Sequence, residues 1–101
     1  MLQTRVIAPT PAAYTAALLI KQLLWSGRRY EASREIVYRD QRRYTYDTLN
    51  ERIARLANVL TRAGVKAGDT VAVMDWDSHR YLECMSAIPM LGAVVHTINV
   101  R

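Results

Sequence analysis

The stretch TVAVMDWDSHRYLECMSAIPMLGAVVHTIN, residues 70–99, contains the pattern that decides the fold. It opens with a short, nearly continuous apolar run at 70–75, as expected of a β-strand that is covered on both faces. A helical segment at about 79–91 follows, and Gly92 ends it before a second β-rich run at 93–99. Strand, helix and strand over this length form a βαβ unit, so we predict two parallel strands with a right-handed connection.

The helix of this unit indicates that the fold is incomplete. After Glu83 it carries no charged residue as far as Leu91. A helix that is apolar on most sides is buried on most sides, and this chain has too little other material to cover it. We therefore expect residues 1–101 to form one incomplete domain. Pro89 removes an intrahelical hydrogen bond, so we expect the last turn to bend or loosen.

A second helix, predicted at 46–63, has clear signals at both ends. The hydroxyl of Thr45 can cap its first turn, and Gly64 fits the left-handed position that follows a helix. Val65 would then contact Leu60 in a Schellman closure. Apolar residues recur at spacings of four, three and four, at Leu49, Ile53, Leu56 and Leu60. This stripe predicts an amphipathic helix with one face on the core.

The segment before this helix is predicted from weaker signals. We interpret residues 1–14 as an extended lead-in and residues 15–26 as an N-terminal helix that Gly27 stops. Two short strands within 35–45 form a predicted β-hairpin with its turn at Asp40-Gln41, where Asp tolerates the positive φ of a tight turn. The expected class is therefore α/β: helix, hairpin, amphipathic helix, then the βαβ unit.

Composition restricts the class of protein. Half of the 101 residues are hydrophobic and 23% are charged, which is typical of a globular protein and unlike a disordered one. We find no apolar run of membrane-spanning length and no secretory signal pattern. The single cysteine, Cys84, cannot form an internal disulfide, so we expect a reducing, cytoplasmic setting, with peripheral membrane attachment left open.

The net charge of +5 raises the question of a polyanionic partner. The arginines, however, are spread over several predicted elements, whereas a nucleic-acid-binding module concentrates them on one element among aromatic residues. We therefore expect no nucleic-acid partner and keep a basic nucleic-acid-binding domain only as an alternative.

Two blocks of the sequence, taken together, resemble a known family. Residues 44–73 resemble the first conserved block of adenylate-forming (AMP-binding) enzymes, which include acyl-CoA synthetases, luciferases and peptide-synthetase adenylation domains. Residues 89–101 resemble the next block. Within the family, the sequence of residues 74–83 and 96–99 is most similar to that of medium- and long-chain fatty-acyl-CoA ligases.

The resemblance implies the N-terminal part of the large domain of such an enzyme. The parent would use ATP and Mg²⁺ to convert a fatty acid to an acyl-adenylate, and would then transfer the acyl group to CoA. In the family the groups for this chemistry lie downstream of this segment, and the four glycines here are isolated rather than grouped in a phosphate loop. We assign no catalytic, cofactor-binding or metal-binding residue and expect the chain alone to be inactive. The implied partners are the remainder of the enzyme and a second copy in a homodimer.

Five side chains have alternative interpretations. Asp75 and Asp77 follow a predicted parallel strand, where ligands bind in open α/β sheets, but we favour capping and surface roles. His79 and His96 have no third ligand at metal spacing, so we favour histidines bonded to the backbone. Cys84 lies in an apolar run, which favours a buried, inert thiol.

A different class of function also fits the pattern. An apolar helix and open strand edges are features of a free-standing interaction module that pairs with another chain. The sequence beyond position 101 would distinguish the two, because an adenylate-forming enzyme needs a Gly/Ser/Thr-rich loop with Pro-Lys within about 100 residues.

Overall fold

The computed structural model describes residues 7–101, in which helices pack beside two small sheets. The elements in chain order are a 3-10 helix at Ile20–Leu24, α1 at Trp25–Tyr30, β1 at Glu35–Tyr38, β2 at Arg42–Thr45, α2 at Tyr46–Arg62, β3 at Thr70–Val73, α3 at His79–Met90 and β4 at Val94–Thr97. Strands β1 and β2 are antiparallel, and β3 and β4 are parallel. The predicted α/β class, with a hairpin, an amphipathic helix and a parallel strand pair, is confirmed.

The predicted N-terminal helix at 15–26 is wrong in both its bounds. Residues 15–19 have no regular structure, and the 3-10 helix continues directly into α1, which passes through Gly27 and ends at Tyr30. A Cβ atom on Gly27 would lie 3.0 Å from the ring of Tyr46, so the glycine allows close packing instead of ending the helix. Of the predicted lead-in, residues 1–6 lie outside the described residues, and a turn occupies 11–13.

The hairpin forms within the predicted range, but its turn differs. Ile36 pairs with Tyr44, and a three-residue turn at 39–41 joins the strands. Arg39, not Asp40, takes the positive φ, at 48°. Its guanidinium lies over the ring of Tyr38, 5.4 Å from the centroid, which is a favourable cation–π position.

Helix α2 confirms the predicted end signals. The Thr48 amide donates to the Thr45 hydroxyl at 3.3 Å, which is the expected N-cap bond. At the other end Gly64 has φ of +98°, and the Val65 amide donates to the Leu60 carbonyl at 3.0 Å. This is the Schellman closure, and it fixes the direction in which the chain leaves α2.

The core lies between α2 and α3. Leu49 and Ile53 of α2 and Ala87 of α3 are buried together. Partly buried neighbours include Leu24 of the 3-10 helix, Ile36 and Tyr44 of the hairpin, and Tyr46 at the start of α2. The predicted apolar stripe of α2 therefore faces α3, and the hairpin closes one end of the pair.

In the βαβ segment, Val71 pairs with Val95, and Ser78 is the residue that caps α3, with its hydroxyl 3.2 Å from the Tyr81 amide. Because Pro89 has no amide hydrogen, the helix ends in a tightened turn, where the Leu91 amide donates to the Ile88 carbonyl at 3.1 Å. The last turn is thus tightened, and the predicted loosening is not found.

Helix α3 is covered on one side. Ala87 and Ile88 are buried, whereas Leu82, Met85 and Met90 are exposed. We predicted that α3 is buried on most sides because it is apolar. In the described chain one side is not covered, and its apolar residues form an exposed surface. Among the helices of residues 7–101, none has the length and apolarity that crossing a membrane requires.

Candidate functional site

A charged cluster lies at the junction of the hairpin, α2 and α3. Glu83 on α3 is only 5% exposed. Its carboxylate accepts hydrogen bonds from Arg52 on α2, with Nε 2.5 Å from Oε1 and Nη2 3.4 Å from Oε2. The hydroxyl of Tyr44 on β2 donates to the same Oε1 at 3.0 Å. Three elements thus converge on one buried carboxylate.

Helical spacing explains how two charged side chains reach this place. Arg52 precedes the buried Ile53, so it lies at the edge of the face that α2 turns toward α3. Glu83 stands four residues before the buried Ala87 and therefore lies on the same face of α3. This pair was not predicted from the sequence. Glu83 is the only acidic residue of α3, and a carboxylate in an apolar helix needs a partner, but the sequence does not identify that partner.

In this cluster the pKa values of the Tyr44 and Arg52 side chains are both raised. Burial, and then the hydrogen bond to Glu83, raise the pKa of Tyr44 to about 12. The hydrogen bond to Glu83 also raises the pKa of Arg52. The phenol and the guanidinium therefore both hold their protons at neutral pH. Such a group is suited to joining elements, and it offers no proton for acid–base catalysis.

His79 lies beside this cluster and is 7% exposed. Its ring centroid is 5.5 Å from that of Tyr38 and 6.1 Å from that of Tyr44. Its buried Nδ1 atom has no hydrogen-bond partner among residues 7–101, so the prediction of a histidine bonded to the backbone is wrong for this atom. Burial lowers the pKa of the imidazole. The ring is held by aromatic packing because the hairpin places two tyrosines against it.

Asp75 and Asp77 do not form a pair of carboxylates. Asp75 accepts hydrogen bonds from the Ser78 hydroxyl at 2.6 Å and from Nε of Arg80 at 3.1 Å, whereas Asp77 is exposed. These bonds, that of Ser78 first, lower the pKa of Asp75. Asp75 thus fixes the loop from which α3 begins.

The remaining two candidate side chains are also apart. His96 is exposed on β4, where it pairs in register with Ala72. Cys84 is partly buried in α3, and burial raises the pKa of its thiol, so the thiolate is disfavoured. Within residues 7–101, no three His, Cys, Asp or Glu side chains come together in a group that could hold a metal ion.

An open groove of about 730 Å³ separates the 3-10 helix and α1 from the first half of α2. Lys21 and Arg28 line one wall, Asp47 and Glu51 line the other, and Ile53 contributes to the floor. The walls thus carry opposite charge. The cluster residues Arg52, Glu83 and Tyr44 are not in its lining, so the groove and the cluster are separate features.

Comparison with known proteins places this arrangement in a family. The family model described as AMP-binding enzyme matches residues 23–101. A long-chain-fatty-acid–CoA ligase of Thermus thermophilus is 42% identical over 59 residues, which cover 58% of this chain and 11% of that protein. A feruloyl-CoA synthase of an Amycolatopsis species is 46% identical over 57 residues, covering 56% of this chain and 12% of that protein.

The fold has a solved counterpart in the N-terminal subdomain of NpsA from Klebsiella oxytoca. The two superpose with a TM-score of 0.71 at 29% identity, over 80% of this chain and 21% of that one. The chain thus spans between 11% and 21% of the lengths of these three proteins. Because the family match extends through the hairpin, α2, the parallel strands and α3, the chain belongs to the family of AMP-binding enzymes.

Proposed function

We propose that this chain is the N-terminal scaffold of an ATP-dependent, AMP-forming fatty-acid–CoA ligase. The observation that carries the proposal is the family match over residues 23–101. It is supported by relatives whose names describe CoA ligation, among them the Thermus thermophilus ligase. In this proposal the parent activates a carboxylic acid as its adenylate, releases pyrophosphate and passes the acyl group to CoA.

We propose that residues 7–101 hold none of the groups that bind ATP, Mg²⁺ or CoA. The buried carboxylate of Glu83 is bound by Arg52 and Tyr44, and Asp75 is bound by Ser78 and Arg80. The glycines are isolated, so no run of backbone amides is available for phosphates. We therefore assign no step of the reaction to them, and the scaffold role is to hold the hairpin and the βαβ segment in place.

The substrate is proposed to be a fatty acid. The name of the Thermus thermophilus relative supports this, whereas the feruloyl-CoA synthase carries the name of an aromatic acid. The sequence of residues 74–83 and 96–99 resembles that of fatty-acyl-CoA ligases, and this favours a fatty acid as the substrate. Acid-dependent exchange by the full-length parent enzyme that favours ferulate over fatty acids would contradict this choice.

The proposed partner is the remainder of the same enzyme, which would cover the exposed apolar surface. That surface includes Leu82 and Met85 of α3 and Val94 of β4. The same exposure supports a second candidate function, a free-standing interaction module. Both predict that the chain alone self-associates, because apolar groups and open strand edges are left without cover.

Pyrophosphate exchange tests the scaffold role. The chain is incubated with ATP, Mg²⁺, labelled pyrophosphate and a series of fatty acids, with the Thermus thermophilus ligase as the positive control. We expect acid-dependent exchange for the ligase and none for the chain. Exchange by the chain itself would show that its own residues perform the activation.

Light scattering tests the exposed surface in parallel. We expect the chain to form assemblies larger than a monomer and expect replacement of Val94 and Met85 by lysine to reduce them. A monodisperse, well-folded monomer of the unaltered chain would contradict the account of an uncovered apolar surface.

A further inference from the structure

We propose that His79 is an acid-sensitive latch, which holds the β1–β2 hairpin against α3 while its imidazole is neutral and releases the hairpin when the imidazole is protonated. The inference concerns the fold of residues 35–83 and does not depend on the proposed function.

The geometry of the latch is aromatic. His79 begins α3, and the rings of Tyr38 from β1 and Tyr44 from β2 stand 5.5 and 6.1 Å from its own. Closure of the hairpin leaves the imidazole only 7% exposed, with Nδ1 out of reach of any acceptor among the described residues. An imidazolium carries a hydrogen on both nitrogens, so protonation would bury an N–H donor that has no acceptor.

The charges around the ring act in both directions: Glu83 favours protonation and the arginines oppose it. The charged and titratable groups that face His79 come from both strands and both helices: Tyr38 on β1, Arg42 and Tyr44 on β2, Arg52 on α2, and Arg80 and Glu83 on α3. Three of them are arginines, which repel an imidazolium. Glu83 attracts it, but this carboxylate already accepts hydrogen bonds from Arg52 and Tyr44.

The pH range follows from the direction of the shift. Burial, the largest cause, and then the arginines lower the pKa of His79 in the closed hairpin below the ordinary value of 6.5 that it regains when the hairpin opens. Well above 6.5 both forms are neutral, so opening does not depend on this group. As the pH falls below 6.5 the open form takes up the proton and the closed form does not, so opening becomes more favourable.

The size of the effect has an upper limit. If the closed form takes up no proton, the opening equilibrium constant rises at most about thirtyfold between pH 7.5 and pH 5. The opening is local, because Arg52 and Glu83 both lie on helices and keep their ion pair, whereas Tyr44 leaves with the hairpin.

Two measurements on the unaltered chain test the latch. NMR titration of the histidine side chains should give His79 a pKa below the ordinary value of 6.5. Hydrogen-exchange protection, corrected for the intrinsic pH dependence, should fall from pH 7.5 to pH 5 in residues 35–45 and stay nearly constant in α2.

The matched variant is His79→Gln, which has no titratable ring. We expect its hairpin protection to be lower at pH 7.5 and to change less between pH 7.5 and pH 5 than that of the unaltered chain. If His79 titrates at the ordinary value of 6.5, or if the hairpin of the unaltered chain is equally protected at both pH values, the latch does not exist. These two results decide the proposal even where the variant fails to fold.

Discussion

Arg52 and Glu83 form an ion pair between α2 and α3 across 31 positions of sequence, with Nε 2.5 Å from Oε1. The Glu83 side chain is almost fully buried, whereas that of Arg52 remains 34% exposed. The arginine therefore keeps part of its hydration while it satisfies a carboxylate that has little access to water. This asymmetry makes the glutamate the more sensitive member of the pair.

Replacement of Glu83 by glutamine should destabilise the fold by about 2 kcal/mol, because the buried group loses its charge-assisted hydrogen bonds to Arg52. The matched control is Glu51→Gln, whose carboxylate pairs with Arg55 on the exposed side of α2. That variant should change the free energy of unfolding by less than about 0.5 kcal/mol. Urea unfolding measures the free energy of unfolding of both variants. Equal effects would contradict the claim that Glu83 stabilises the packing of α3 on α2.

Tyr44→Phe should cost about 1 kcal/mol at neutral pH, because the variant lacks the hydroxyl that donates to Glu83. The phenol pKa is about 12 in the folded chain and 10.0 when unperturbed, so the neutral phenol favours the folded state. This contribution is complete below pH 10 and is lost as the pH rises toward 12.

Unfolding measured between pH 10 and 12 should therefore show a shallower loss of stability for Tyr44→Phe than for the unaltered chain. Tyr14→Phe is the control, since Tyr14 is 99% exposed. A loss of stability that is unchanged by Tyr44→Phe would rule out this phenol as its source.

Two glycines that follow helices should differ in their response to alanine. Gly64 has φ of +98° with open space around it, so Gly64→Ala should cost about 1 kcal/mol from backbone strain alone. Gly92 has φ of +74°, and a Cβ atom there would lie 3.0 Å from Cβ of Ala67. Gly92→Ala should therefore be the more destabilising variant in thermal unfolding, and the reverse order would show that the approach of Gly92 to Ala67 is not tight.

The N-cap of α2 provides a test of the predicted helix start. Thr45→Ala should destabilise the chain by about 1 kcal/mol, since the Thr48 amide loses its acceptor. Thr45→Ser retains the oxygen and should stay close to the unaltered chain. If serine and alanine have the same effect on the urea midpoint, the hydroxyl is not the stabilising group.

The features that the sequence predicted well are those with local causes. Thr45, the apolar stripe of α2 and Gly64 act within a few residues, and each is found in its predicted role. Gly27 was misread as a helix stop because its real constraint is the ring of Tyr46, 19 positions away in the chain. At the hairpin turn the positive φ lies on Arg39 and not on Asp40, and the Arg39 guanidinium stands over the ring of the neighbouring Tyr38.

The candidate site was less accessible to prediction for the same reason. The pairing of Glu83 with Arg52 and Tyr44 depends on how α2, α3 and the hairpin meet, and no spacing along one helix reveals it. The orphaned Nδ1 of His79 is also a tertiary property. By contrast, the family resemblance was visible from 44–73 and 89–101, because the order of the two blocks reflects the whole fold.

A chimera of the Thermus thermophilus ligase tests the central claim most directly. Its segment that aligns with this chain is replaced by the corresponding residues of this chain, and acid-dependent exchange between ATP and labelled pyrophosphate is measured. The account predicts that the chimera keeps the acid preference of the recipient, with an exchange rate within about tenfold, or about 1.4 kcal/mol, of the unaltered ligase. A folded chimera that has lost exchange, or has acquired a new acid preference, would show that this segment contributes to the chemistry and is more than its scaffold.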